Sequence, residues 1–111
     1  MLHGPAFLLD LTHHGAYAVV RADGELDIAA LPRLQACVRR AARRSPRVVV
    51  DLRRVEFMDS FVLSALISLQ KKSETAPWSL HCVPGSRIQR VLDLADARDL
   101  LRWISPEQLA N

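Results

Sequence analysis

The chain has 111 residues, half of them hydrophobic, so a single domain can build its core without a structural metal or disulfide bonds. The formal net charge is +3, and much of the positive excess is concentrated in Arg39, Arg40, Arg43, Arg44 and Arg47. Such a cluster is typical of a solvated helix end, so nucleic acid is not a predicted partner. The apolar runs are too short to span a membrane and residues 1–11 lack signal-peptide features, which predicts a cytoplasmic protein.

The first elements are predicted to be a β-hairpin and a helix. Residues 6–12 and 16–22 carry β-type side chains on both sides of a turn-prone His-His-Gly, and residues 23–27 read as a loop that ends with the carboxylate of Asp27. A helix that starts near Ala29 or Ala30 keeps Pro32 in its first turn, where proline is tolerated. Ser45 and Pro46 end this helix.

The central stretch, residues 47–72, changes its hydrophobic period halfway. Three consecutive valines, residues 48–50, predict a buried strand that a loop follows, and the pattern after Ser60 predicts a helix. Asp59 is predicted to cap that helix, which places Ser60 in the first turn, where unpaired N–H groups and the helix dipole favour negative charge. A serine at this position can accept a phosphate without unfolding its own helix.

The remainder of the chain predicts a strand at 78–83, a helix capped by Ser86, a short strand at 100–104 and a helical turn opened by Pro106. We therefore expect one α/β domain over residues 1–111, with its core at 6–104. Alternating strands and helices favour a largely parallel sheet, whose functional residues gather beyond the carboxyl ends of the strands. Asp27 and Ser60 both follow strands in this way.

Four segments occur in a characteristic order: residues 24–27 read GELD, 48–52 read VVVDL, 55–60 read VEFMDS and 90–95 read RVLDLA. Together they resemble the motifs of the STAS-domain anti-sigma factor antagonists, also called anti-anti-sigma factors, of bacterial partner-switching pathways. The resemblance extends over about residues 6–104. It implies a mixed sheet of four or five strands flanked by helices, with no cofactor.

The resemblance also implies a function for this chain. Members of the family bind, in their dephosphorylated form, an anti-sigma factor that is also a serine/threonine kinase; phosphorylation of the motif serine breaks the complex, and a phosphatase resets it. Ser60 is then the phosphoacceptor, and Asp27 serves partner binding and phosphorylation. The expected partner surface consists of Asp27, Asp59, Ser60, Phe61 and Ser64. Monomer and weak homodimer both remain open.

Two residues depart from the family pattern. Phe61 replaces a second serine or threonine, and Val62 replaces a glycine. Phe61 can be a core residue or an exposed anchor for a partner. Without phosphorylation, Ser60 is only a first-turn hydroxyl and Asp27 only a loop carboxylate. Two alternatives therefore stand beside the switch: a STAS interaction module without phosphorylation, and a sensor that binds a small molecule or nucleotide.

Catalysis and metal binding find little support in the sequence. Cys37 and Cys82 form no CxxC or Cys/His pattern and are interpreted as small structural hydrophobes, and the four histidines have no metal-ligand spacing. No GxSxG motif surrounds Ser60, and no glycine-rich phosphate loop occurs. The sequence therefore predicts a regulator that is not an enzyme and holds no metal.

Overall fold

The structure is a computed structural model that describes residues 6–109; residues 1–5 and 110–111 of the predicted domain lie outside the described residues. The strands and α-helices are, in chain order, β1 (Phe7–His14), β2 (Tyr17–Leu26), α1 (Leu31–Arg44), β3 (Arg47–Met58), α2 (Ser60–Ser73), β4 (Ser79–Val83) and α3 (Ser86–Leu94). Single 3-10 turns occupy Ile28–Ala30, Arg98–Leu100 and Pro106–Leu109. The predicted α/β class is confirmed.

The strands form one mixed sheet in the order β1-β2-β3-β4. The opening hairpin β1/β2 is antiparallel, whereas β2/β3 and β3/β4 are parallel pairs joined through α1 and α2. Because both crossovers advance in the same direction along the sheet, connections of the usual hand place both helices on one face. β2 and β3 are parallel, so their carboxyl ends, which lead to Asp27 and Ser60, lie at the same edge of the sheet.

The main core lies between this helical face and the sheet. Alternation along the strands turns every second side chain toward the helices. Many of the residues that meet there are large, aliphatic and at most 1% exposed, among them Val20, Val50, Leu34, Leu66 and Leu92. Val62 belongs to the same core, so the residue that replaces the family's glycine packs against its neighbours.

The opposite face of the sheet carries a smaller core built from Val19, Val49 and Val83. It is covered by Ile104 and Leu109, which belong to residues 101–109, a stretch that we call the C-terminal segment. Ile104 packs on these three valines, and the Tyr17 hydroxyl donates a 2.9 Å hydrogen bond to the Leu109 carbonyl oxygen. The sheet is thus covered by helices on one face and by an irregular segment on part of the other.

The prediction of a strand at 100–104 is wrong, and within residues 6–109 the sheet has four strands. The segment makes only one bridge, between Trp103 and Cys82. The side-chain oxygen of the buried Gln70 accepts the Arg102 N–H at 3.0 Å, so this donor is unavailable to a strand ladder. The predicted turn at Pro106 is present as a 3-10 turn.

Two other boundaries differ from the sequence prediction because of glycines. β2 runs through residues 23–26 instead of ending at 22, and Gly24 adopts φ 91° where a Cβ atom would overlap the Ala6 carbonyl oxygen. The N-cap of α3 is Gly85 and not Ser86. A Cβ atom at Gly85 would lie 2.8 Å from the Leu52 carbonyl oxygen, so glycine allows α3 to begin against β3.

Within residues 6–109, no helix has both the length and the apolar character needed to cross a bilayer.

Candidate functional site

The end of β2 leads directly into Asp27. Its carboxylate oxygen Oδ1 accepts a 3.0 Å hydrogen bond from the Ala29 N–H and so caps the 3-10 turn that precedes α1. The side chain is half-buried. Asp27 therefore has the local structural role expected of a loop carboxylate, while part of its side chain stays accessible to another molecule.

The end of β3 leads into Asp59 and Ser60. Asp59 has extended backbone angles, and its Oδ1 accepts the Val62 N–H at 3.0 Å, which makes it the N-cap of α2 as predicted. Ser60 is the first residue of the helix, and its side chain is exposed. The N–H groups of Ser60 and Phe61 have no acceptor within the helix, so the local field at this hydroxyl favours negative charge.

A backbone hydrogen bond connects these two strand ends. The Asp59 N–H donates to the Leu26 carbonyl oxygen at 3.1 Å, next to the register pair Leu26 and Met58. Asp27 and Ser60 each lie one residue beyond this bond. The structure thus brings the two acidic loops together at one edge of the sheet, although they are 33 positions apart in the numbering, from 27 to 60.

Exposed apolar side chains accompany this edge. Phe61 is 61% exposed, so it is not a core residue, and its role as an anchor for a partner stays a prediction. Ile28 and Phe57 are also about half exposed, and Ser64 lies exposed on the following turn of α2. Sequence reasoning missed Ile28 and Phe57. Ile28 directly follows Asp27 and precedes the helix pattern, which was an available signal; the exposure of Phe57 had none.

Asp51, which follows the valines of β3, does not lie at this edge. It lies on the face of the sheet opposite the helices. The Arg53 guanidinium donates to both of its oxygens, at 3.0 and 2.8 Å, and Arg21 lies 3.9 Å away. Burial acts to raise the pKa of Asp51, but the hydrogen bonds and charge of Arg53, with the charge of Arg21, outweigh it and hold the pKa below its ordinary value. Asp51 is a structural anion.

The two cysteines, Cys37 and Cys82, do not belong to this edge. Burial raises the pKa of the Cys82 thiol to about 12, so this cysteine is a structural residue, and Cys37 is half-buried on α1. In the part of the chain that the structure describes, no three His, Cys, Asp or Glu side chains are arranged to hold a metal ion. What the edge offers chemically is an exposed hydroxyl at a helix N-terminus, the half-buried carboxylates of Asp27 and Asp59, and apolar contact area.

A four-stranded mixed sheet with its helices on one face, and with an Asp-Ser pair at the start of the second helix, defines a STAS domain. The STAS domain family model matches residues 9–108, and the chain belongs to this family. The family predicted from the four sequence motifs is confirmed. No curated protein sequence matches the chain significantly.

Solved structures share this fold. A crystal structure of an anti-sigma factor antagonist from Mycobacterium paratuberculosis is similar with a TM-score of 0.76 and 25% identity, over 95% of this chain and 91% of that one. The anti-sigma factor antagonist SpoIIAA in its unphosphorylated form gives a TM-score of 0.72 at 18% identity, over 93% of both chains. The Bacillus cell fate determinant SpoIIAA in its phosphorylated form gives 0.68 at 18% identity, over 93% of this chain and 96% of that one.

Proposed function

We propose that this protein is an anti-sigma factor antagonist. In its unphosphorylated form it binds an anti-sigma factor with serine/threonine kinase activity, through Asp27, Asp59, Ser60, Phe61 and Ser64. The observation that carries the proposal is the hydrogen bond from the Asp59 N–H to the Leu26 carbonyl oxygen, which holds Asp27 and the exposed Ser60 at one edge. The similarity to structures of anti-sigma factor antagonists supports the same role.

The proposed switch is phosphorylation of Ser60. A phosphate adds about −1.5 to −2 charges at neutral pH, and the N-terminus of α2 stabilises them. The same charge stands beside Asp59 and next to the exposed ring of Phe61. A partner docked on this apolar contact would have to desolvate the phosphate, so phosphorylation weakens the complex while α2 stays folded. A phosphatase then restores binding.

The switch can be tested with an anti-sigma kinase encoded in the same genome. We expect ATP and this kinase to place one phosphate on Ser60, detected by mass spectrometry, and Ser60→Asp to weaken the complex by about tenfold or more in calorimetry. Ser60→Ala should bind within about threefold of the wild type, because it removes one small contact group and adds no charge. Ser86→Asp is the matched control, because Ser86 is likewise an exposed first residue of a helix. Absence of phosphate on Ser60, together with wild-type affinity of Ser60→Asp, would sink the switch.

A second candidate is a STAS interaction module that does not switch. The observation that favours it is the pair Phe61 and Val62, the first largely exposed and the second fully buried. A partner then contacts the Phe61 ring as an apolar anchor. Under this function Phe61→Ala weakens binding by about tenfold or more while Ser60→Asp leaves it unchanged, whereas the switch requires both variants to lose affinity.

A further inference from the structure

Among the residues that the structure describes, β1 is an outer strand of the sheet and pairs only with β2. In an antiparallel pair, alternate residues bond to the partner strand and the residues between them direct their N–H and C=O groups outward. The Glu25 N–H donates to the Ala6 carbonyl oxygen at 2.9 Å. The even-numbered residues of β1 therefore direct their backbone N–H and C=O groups toward β2. Leu9, Leu11 and His13 therefore present backbone donors and acceptors at the outer edge.

A groove of about 450 Å³ lies between this edge and α1. Leu9 and Leu11, both half-buried, form its apolar wall on the β1 side. Arg33, Arg40 and Arg44 line it on the α1 side. These positions follow i, i+7 and i+11 spacing, which puts their side chains on one face of the helix.

The groove is strongly positive. The sequence of α1 contains five arginines and no acidic residue, and within residues 6–109 none of the five lies within 4.0 Å of a carboxylate oxygen. Asp10 is the one acidic residue that lines the groove. The guanidinium of Arg33 stands 5.5 Å from the centre of the Phe7 ring, which holds it at one end of the groove.

We propose that this groove binds an extended, acidic peptide segment of a partner protein. The segment adds a strand to the outer edge of β1 and places its carboxylates against Arg33, Arg40 and Arg44. The side-chain methylene groups of those acidic residues lie against Leu9 and Leu11, which face α1 as well. The inference is independent of the function proposed for Ser60, because it uses none of the residues of that surface.

The geometry favours a peptide over a free anion or a nucleic acid. Outward N–H and C=O groups at strand spacing match another peptide backbone, and strand addition to a free edge is a common mode of peptide recognition. Arg40 and Arg44 are about 6 Å apart along the helix axis, and alternate side chains of a strand are about 7 Å apart. Neighbouring carboxylates on one face of a strand can therefore reach both guanidinium groups.

The first test uses fluorescence anisotropy with a labelled peptide of alternating glutamate and valine. We expect saturable binding to the full chain at low ionic strength. A peptide with lysine in place of glutamate tests the charge, and one with alternate N-methylated backbone amides tests the strand pairing. Each should bind at least about tenfold more weakly. No binding of the acidic peptide, or equal binding of the three, overturns the proposal.

The second test changes the protein. Replacing Arg40 and Arg44 together by glutamine should weaken binding by about tenfold or more, since glutamine keeps helix propensity and removes the charges. The matched control replaces Arg39 and Arg43 by glutamine, on the same helix but outside the groove lining. Equal losses in both variants contradict a specific groove. Single-stranded RNA serves as a competing ligand. If RNA binds more tightly than the peptide, and if the groove variant loses RNA binding, the groove is a nucleic-acid site instead.

Discussion

At the residue scale, the most demanding side chain of the sheet is Asp51. It is only 3% exposed, and a carboxylate removed from water is costly unless donors surround it. Arg53 supplies its backbone N–H at 3.1 Å as well as the two guanidinium donors. The strand can therefore keep a charge beside its row of buried valines.

We expect Arg53→Met to lower the free energy of unfolding by about 1–2 kcal/mol at neutral pH, because the variant leaves the Asp51 charge poorly compensated. This is below the loss for a fully buried pair, since the Arg53 side chain is 42% exposed. The folded pKa of Asp51 lies below its ordinary value of 3.8. Its stabilisation is therefore present above that value and disappears as pH falls through the folded pKa.

Urea unfolding of wild type and variant at neutral pH, and again below the folded pKa, measures this difference. The gap should shrink on acidification. Arg54→Met is the matched control, because Arg54 pairs at 3.7 Å with Asp23 and both side chains are substantially exposed. It should change stability by less than about 0.5 kcal/mol. A loss in Arg53→Met that does not change with pH would contradict this account of Asp51.

Residue roles were predictable where the cause is local. The capping role of Asp59 and the place of Ser60 in the first turn follow from their positions directly before the helical pattern. The structure has both residues at these positions. The bonding of Asp51 to Arg53 was not predicted, although the residues are close in sequence, because strand residues two apart share a face only in a regular strand. The exposure of Phe57 depends on which parts of the chain cover the end of β3, which no local pattern reveals.

At the scale of elements, α2 and α3 begin differently. The N-cap of α2 is Asp59, which accepts a backbone hydrogen bond, whereas Gly85 begins α3 with no side-chain acceptor. The α2 start is therefore stabilised by its own cap as well as by packing. The α3 start depends on the close approach of backbone to β3.

We expect Asp59→Ala to destabilise the protein by about 1 kcal/mol, because the Val62 N–H loses its acceptor, and Asp59→Asn to cost only a few tenths. Chemical denaturation measures both. Hydrogen exchange at the Val62 amide should accelerate in the alanine variant. Equal stability of the alanine variant and the wild type would show that packing alone determines where α2 begins.

The elements themselves were mostly predictable because their periods are strong. The hairpin, the central strand and the three helices are all present, but β2 extends to Leu26, and β3 continues to Met58 through the stretch expected to be a loop. The failure at 100–104 has a non-local cause, since Gln70 takes a donor that the local pattern assigned to a ladder. The convergence of Asp27 and Ser60 required the sheet order, which the sequence suggested through its parallel crossovers but could not measure.

At the scale of the whole molecule, the two faces of the sheet are unequal. Three helices cover one face, and the C-terminal segment contributes only Ile104 and Leu109 to the cluster on the other. This segment joins the chain's end to its first hairpin through the hydrogen bond of Tyr17. The small second core therefore depends on few side chains.

Ile104→Ala should lower the free energy of unfolding by about 2 kcal/mol, since Ile104 is 8% exposed and its loss leaves a gap over the three valines. Leu94→Ala is the control, because Leu94 is 85% exposed and its truncation should cost less than about 0.5 kcal/mol. Thermal unfolding of both variants provides the comparison. Similar melting temperatures would mean that the C-terminal segment does not seal this face.

The order of the strands in the sheet is also their order in the chain. During synthesis, the neighbour of each new strand has therefore already been synthesised, and no strand must insert between two strands that have already paired. The sheet can grow outward from the hairpin as β3 and then β4 leave the ribosome. Only one α-helix is synthesised between each strand and the next. The edge that carries Asp27 and Ser60 is complete once α2 has emerged, before the C-terminal segment exists.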